Sequence, residues 1–262
     1  MSIVRNFVIS RGIYSQVYAP PKAVVLLRSA ASEVHPCVQW TPLAELLFQS
    51  TDLAAVYVFD VSDLIGELAS ETSSPSLGPI LKPLQRSFMK VNPQEATFIA
   101  ASSTCALALK LLRDDPAFVG KCVDHVVCVS PPPSLPRGKG PGLQQAATAL
   151  YTSETAAQAG PPVLDPLFAE QASHVQVQGT GKEAIMRGIA EVVAAARRGG
   201  EASADGTGAA EAVALHQFQD RASQQAFVAQ HNIRYSELIF TLDAASKQPI
   251  QEVVDITARV LS

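Results

Sequence analysis

Charge is scarce in this chain. Of 262 residues only 17% are Asp, Glu, Lys or Arg, and the formal net charge is −4. No basic run interleaved with aromatics occurs, so the electrostatic footprint of a protein that grips nucleic acid directly is absent from the sequence. Cysteine is also sparse. Cys37, Cys105, Cys122 and Cys128 show neither the paired spacing of a zinc site nor a secreted disulfide framework, and they read as reduced thiols, three of them in buried strand or helix. No apolar run approaches the ~20 residues of a membrane-spanning helix. The Gly179–Glu183 stretch has a Gly-Lys pair without the spacing of a phosphate loop, and Gly138–Gly142 is a flexible turn. No G-x-G-x-x-G follows the first strand and no His/Asp/Glu cluster has metal-ligand spacing, so the expectation is a protein with no cofactor and no metal.

What the chain has in plenty is apolar residues, 47% of the total, in short runs that alternate with segments of helical period. Strand-like runs occur at Phe7–Ala19, Ala23–Leu27, Ala54–Asp60, Thr97–Ala101, Cys122–Val129, Val213–Phe218 and Leu238–Leu242. Between them, Thr41 as N-cap and Pro42 as first helical residue open a helix, and Leu77, Ile80, Leu81, Leu84 and Phe88 recur at helical spacing. A closing helix is expected from Ile250 to about Leu261, with Ile250, Val253, Val254, Thr257, Val260 and Leu261 along one side. Strands alternating with helices give an α/β fold: a mostly parallel sheet of about eight strands with helices on both faces.

The most informative stretch runs from Thr97 to Leu111. An apolar strand passes through Ser102 at a tight turn into an apolar helix. This layout resembles the nucleophile elbow of the α/β-hydrolase superfamily, normally G-x-S-x-G, with Ala100 and Thr104 standing where the glycines would be. The strand 23–27, the helix after Trp40 and the strand ending in Asp60 resemble the opening of the same fold, with Arg28-Ser29 in place of the family's His-Gly.

That resemblance implies Ser102 as nucleophile, with Ser103 and Ser29 supplying the N–H groups of an oxyanion hole. The acid follows the penultimate strand, where Asp220 falls, and a histidine lies between the last strand and the last helix. Serine is a poor nucleophile without that base. The loop Thr241–Pro249 carries none, and His125 and His216 read as strand residues, His174 as part of an insertion and His231 as helical. His35, after the 23–27 strand, is the remaining candidate base. The alternative reading of Ser102 is a helix-capping serine.

The chain divides into 1–130, the N-terminal part of the core; 131–212, a cap insertion with a flexible Gly-rich loop at 199–212; and 213–262, the C-terminal part of the core. Within the insertion Leu143–Tyr151 and Lys182–Arg198 are predicted helices. The apolar run 161–168, with Leu167 and Phe168, is a candidate interaction surface for protein partners. With the base and both elbow glycines missing, the sequence reads as a catalytically inactive α/β-hydrolase-like protein (a pseudo-hydrolase), acting as a structural or protein-interaction subunit of a larger assembly. The alternatives are an active serine hydrolase of esterase or thioesterase type using Ser102 and Asp220, and a binding protein for a small-molecule ligand in the pocket under the cap. With no membrane span and no cleaved signal expected, an intracellular place, cytoplasmic or organellar (mitochondria included), is anticipated.

Overall fold

The computed structural model describes residues 4–11, 19–29, 36–53, 55–65, 78–132, 143–152, 172–177, 181–198, 233–242 and 249–255, with 222, 226 and 230. Its strands are β1 (Arg5–Arg11), β2 (Lys22–Arg28), β3 (Ala55–Asp60), β4 (Glu95–Ala101), β5 (Val123–Val129), β6 (Ala146–Thr152), β7 (Ala172–Val177), β8 (Ile233–Leu242) and β9 (Pro249–Asp255). The helices are α1 (Pro36–Ser50), α2 (Gly78–Val91), α3 (Thr104–Asp114), the single turn α4 (Val119–Cys122) and α5 (Lys182–Arg197).

All nine strands form one sheet in the order β7-β6-β5-β4-β2-β3-β1-β8-β9. From β7 to β3 every pairing is parallel, while β1, β8 and β9 add an antiparallel ribbon beyond β3. With the elbow at the end of β4, this is an α/β-hydrolase-like fold. The parallel strands are continuous apolar runs because both faces are covered. Val24, Leu26, Val56, Val58, Phe98, Ile99, Val127 and Val129 are all buried.

Alternation along each strand sorts the core in two. Val25, Leu27, Tyr57, Phe59 and Phe98 point to the face covered by α2 and α3, where the Phe88 ring meets Phe98 and Phe118 edge-on at 5.3 and 5.8 Å. Val24, Leu26, Val58, Ile99 and Val127 point to the opposite face, under α1 and α5. Gly188 lets α5 lie close, since a Cβ there would stand 2.8 Å from Val177 Cγ2 and 3.1 Å from Leu150 Cδ1. Arg197, near the helix end, donates from Nη2 to the Ala23 carbonyl at 3.1 Å.

Three expectations are corrected. Leu143–Tyr151 contains not a helix but most of β6, paired in register with β5 on one side and β7 on the other. Its alanines favour helix, yet Ala147, Ala149 and Leu150 are buried within a sheet that leaves no room for one, so tertiary burial overrides propensity. The described part of 131–212 is therefore built into the sheet through β6, β7 and α5. The start of the expected closing helix, Ile250–Asp255, lies in β9, because Ser236–Leu242 offers it an antiparallel partner. Finally, α1 begins at Pro36, not at Pro42, and Thr41 is fully buried inside it; Pro36 takes the first-turn place where a missing N–H costs nothing. The strand expected at Val213–Phe218 and the loop 199–212 lie outside the described residues.

Candidate functional site

The site begins at the β4–α3 junction, at the carboxyl edge of the parallel strands. Ser102 has φ 49°, the left-handed region that non-glycine residues rarely enter. Its side chain is exposed. The turn is braced from both sides: the Ser102 N–H donates to the Val129 carbonyl at 3.0 Å, and the Cys105 N–H donates to the Ser102 carbonyl at 3.1 Å. Ser130, itself at φ 44°, continues the brace with an N–H to the Leu150 carbonyl at 2.8 Å.

The two replaced glycines are absorbed locally. Ala100 is fully buried, and its carbonyl receives the Cys105 thiol at 3.4 Å. Thr104 is 1% exposed; its Oγ1 accepts from the Ala101 N–H at 2.8 Å and lies 2.9 Å from the Ala101 carbonyl and 3.4 Å from the Leu27 carbonyl. A hydroxyl thus ties the helix start to the ends of β4 and β2, where glycine would supply only closeness. Beneath the turn, Cys105 hydrogen-bonds Cys128, which together with burial pushes its thiol well above the usual range and keeps it protonated.

Ser103 is the N-cap of α3, exposed, at φ −60° and ψ −28°, and makes no side-chain cap bond. The capping position therefore belongs to Ser103, and Ser102 precedes it. Ser29 follows β2 and is half-buried. Arg28, 5% exposed, ends β2 with its carbonyl accepting the Val61 N–H at 2.7 Å. The candidates His35, Asp220, Leu167 and Phe168 lie outside the described residues, as do His216 and His231.

The described histidines stand apart from Ser102. His125 is in β5, in register with Thr97 at the other end of β4, about 15 Å along the strand from the elbow. It is buried, its Nε2 is 2.9 Å from Thr148 Oγ1, and Thr148 Oγ1 is 2.8 Å from Ser173 Oγ. Burial, with the nearby Arg197 cation second, pulls its pKa down to about 4, so it is neutral at pH 7. His174, expected in an insertion, is exposed on β7, three strands from β4, about 14 Å away.

The last parallel strand followed by a helix is β7, followed by α5, three strands from β4. The 242–249 connection instead joins two antiparallel strands beyond β1. The sequence between β7 and α5, Gln178-Gly179-Thr180-Gly181, has no histidine either. The penultimate parallel strand is β6, and the first carboxylate after it in the sequence is Glu154. Gly181, at φ 97°, turns the chain into α5, whose first residue is Lys182. The Lys182 ammonium lies 5.5 Å from the centre of the Trp40 ring on α1. Although the residue is exposed, partial desolvation of its ammonium, and secondarily repulsion from Arg28, lower its pKa. The sequence reading missed both, Lys182 because its segment was read as an insertion and Arg28 because it was weighed only as a missing His-Gly.

Among the described residues no group of three or more His, Cys, Asp or Glu is placed to hold a metal ion, and no helix is long and apolar enough to cross a membrane. No protein-family model matches the chain and no curated protein does. Solved structures of hydrolases resemble it loosely. A dienelactone hydrolase from Anabaena variabilis is 16% identical, with TM-score 0.47 over 73% of this chain and 89% of that one. The naproxen esterase (carboxylesterase NP) of Bacillus subtilis is 13% identical, with TM-score 0.46 over 74% and 86%. An α/β-hydrolase enzyme from the metagenome of lagoon sediments at Mar Chica, Morocco, is 10% identical, with TM-score 0.45 over 74% and 93%.

Proposed function

We propose that this chain uses the carboxyl edge of its sheet to hold a ligand or a protein partner and does not hydrolyse esters through Ser102. The observation that carries this reading is the β7–α5 junction, which has no imidazole and ends in the cation Lys182. A protonated ammonium cannot take the serine proton, and the Lys182 cation is held over the Trp40 ring, 5.5 Å from its centre. The polar group at that junction therefore suits binding of negative charge better than proton abstraction.

A second reading is favoured by Ser102 itself. An exposed serine held at φ 49° costs of order 1–3 kcal/mol, and such strain gathers at functional sites. On that reading the chain is a serine hydrolase of esterase or thioesterase type. Labelling with a fluorophosphonate probe separates the two. The binding reading expects no labelling above that of Ser102→Ala; robust labelling lost in Ser102→Ala would overturn it.

A further inference from the structure

Positive charge converges beside the elbow from two elements on the same face of the sheet. Arg28 ends β2, one strand over from the end of β4, since Leu27 and Ala100 are in register. It continues the alternation of Val24 and Leu26 and so faces the α1/α5 side. Arg28 is buried and held by contacts of its own. Lys182 begins α5 on that side, with its ammonium over Trp40, and the two cations are close enough to repel.

The helices add to this. Both α1 and α5 follow parallel strands, so both direct their positive N-terminal ends to this edge, over 15 and 16 residues. The first turn of α1 has no acid, and that of α5 has Glu183, which is exposed. Asp60, in register with Arg28, accepts hydrogen bonds from the Ser62 N–H and hydroxyl. Among the described residues the two cations and the two helix ends stand against Asp60, which is hydrogen-bonded to Ser62, and against Asp63 and Glu183, which are exposed and screened by solvent, so the pull on an anion is modest and suits one negative charge better than two. The surface beneath the Lys182 ammonium is the half-buried Trp40 ring, which is flat and apolar.

We propose that this edge binds a small organic monoanion, a carboxylate on an apolar body, with its charged group between Lys182 and Arg28 and its apolar part against Trp40. An anion there relieves the repulsion between the two cations. The proposal names a ligand class for the binding reading above and rests on it.

Trp40 is the only tryptophan in the chain, so tryptophan emission, excited selectively over the five tyrosines, reports on this spot alone. Titrating the full chain with octanoate is expected to give a saturable change in emission. Lys182→Gln should weaken it about tenfold or more, and Lys182→Arg should keep it within a few-fold, since a tenfold change corresponds to about 1.4 kcal/mol. Lys182 is exposed at a helix start, and an unchanged melting curve for Lys182→Gln shows that the fold is intact. A response to 1-octanol equal to that of octanoate, an unweakened Lys182→Gln, or no saturable response would overturn the proposal. Equal competition by inorganic phosphate would overturn the choice of a carboxylate monoanion. These outcomes are independent of fluorophosphonate labelling, so failure of the anion site and failure of the non-hydrolytic reading are separable.

Discussion

Two strand-to-helix junctions lie at the carboxyl edge of this sheet, three strands apart, and they differ in what their described residues do. At β4–α3 each residue serves the turn: Ser102 takes the left-handed angle, Thr104 ties three carbonyl and amide groups, and Ala100 fills the space beneath. At β7–α5 the left-handed angle falls on Gly181, and the residue that follows is a cation turned toward α1. The first junction keeps a frame at an energetic cost; the second puts its positive φ on a glycine and follows it with a charge. A fold can therefore hold the geometry of a reaction while the group that would drive it is absent, because packing and proton transfer are demanded of different residues.

The sheet that carries both junctions is itself sensitive to pH, and this is the largest effect expected. His125 is neutral in the fold, with a pKa of about 4 against 6.5 when unfolded. Above pH 6.5 both states are neutral and nothing is lost. As pH falls from 6.5 toward 4 the unfolded chain takes up the proton first, so stability declines, by about 3 kcal/mol in all. His125→Asn does not titrate, and urea unfolding as a function of pH should show a shallower acid decline for it than for the parent chain.

The packing of α5 on β6 and β7 is probed next by Gly188→Ala. Its added methyl meets Val177 and Leu150, and the expected loss is about 1–3 kcal/mol in urea or thermal unfolding. At the elbow, Thr104→Val keeps the shape but leaves the Ala101 N–H without its acceptor, for a loss of about 1–2 kcal/mol. The smallest effect has the opposite sign. Ser102→Gly relieves the left-handed strain and should raise stability by up to about 1 kcal/mol. Destabilisation by Ser102→Gly would mean that the serine side chain supports the turn, and the contrast between the two junctions would fall.

The sequence made β2, β3, β4 and β5 legible because each is an unbroken apolar run bounded by polar or turn residues, and the elbow followed from the serine between strand and helix. It misled where local preference and tertiary demand part. Ala146–Thr152 is rich in alanine and threonine, and only the neighbours on either side make it a strand. Pro249–Asp255 has apolar residues at spacings that suit either period, and pairing with β8 decides. The second error bears on the site too, because the 242–249 connection, where the sequence reading looked for a histidine, joins two antiparallel strands and does not lead from a parallel strand into a helix. Lys182 and Arg28 could have been noticed as two cations flanking an apolar edge, but nothing in their local sequence brings them together.

The pairing of β1 with β8 bears on how the molecule comes into being. Arg5 is matched with Ile239, so β1 waits for more than 200 further residues before its second neighbour exists. Contacts so distant in sequence close slowly, and until then one side of β1 offers unpaired amides and carbonyls to any other extended segment. On a ribosome adding about 5–20 residues per second, that interval lasts for tens of seconds. The parallel half from β2 to β7, closed by α5, can assemble first, leaving the antiparallel ribbon as the late step and the one most open to wrong partners.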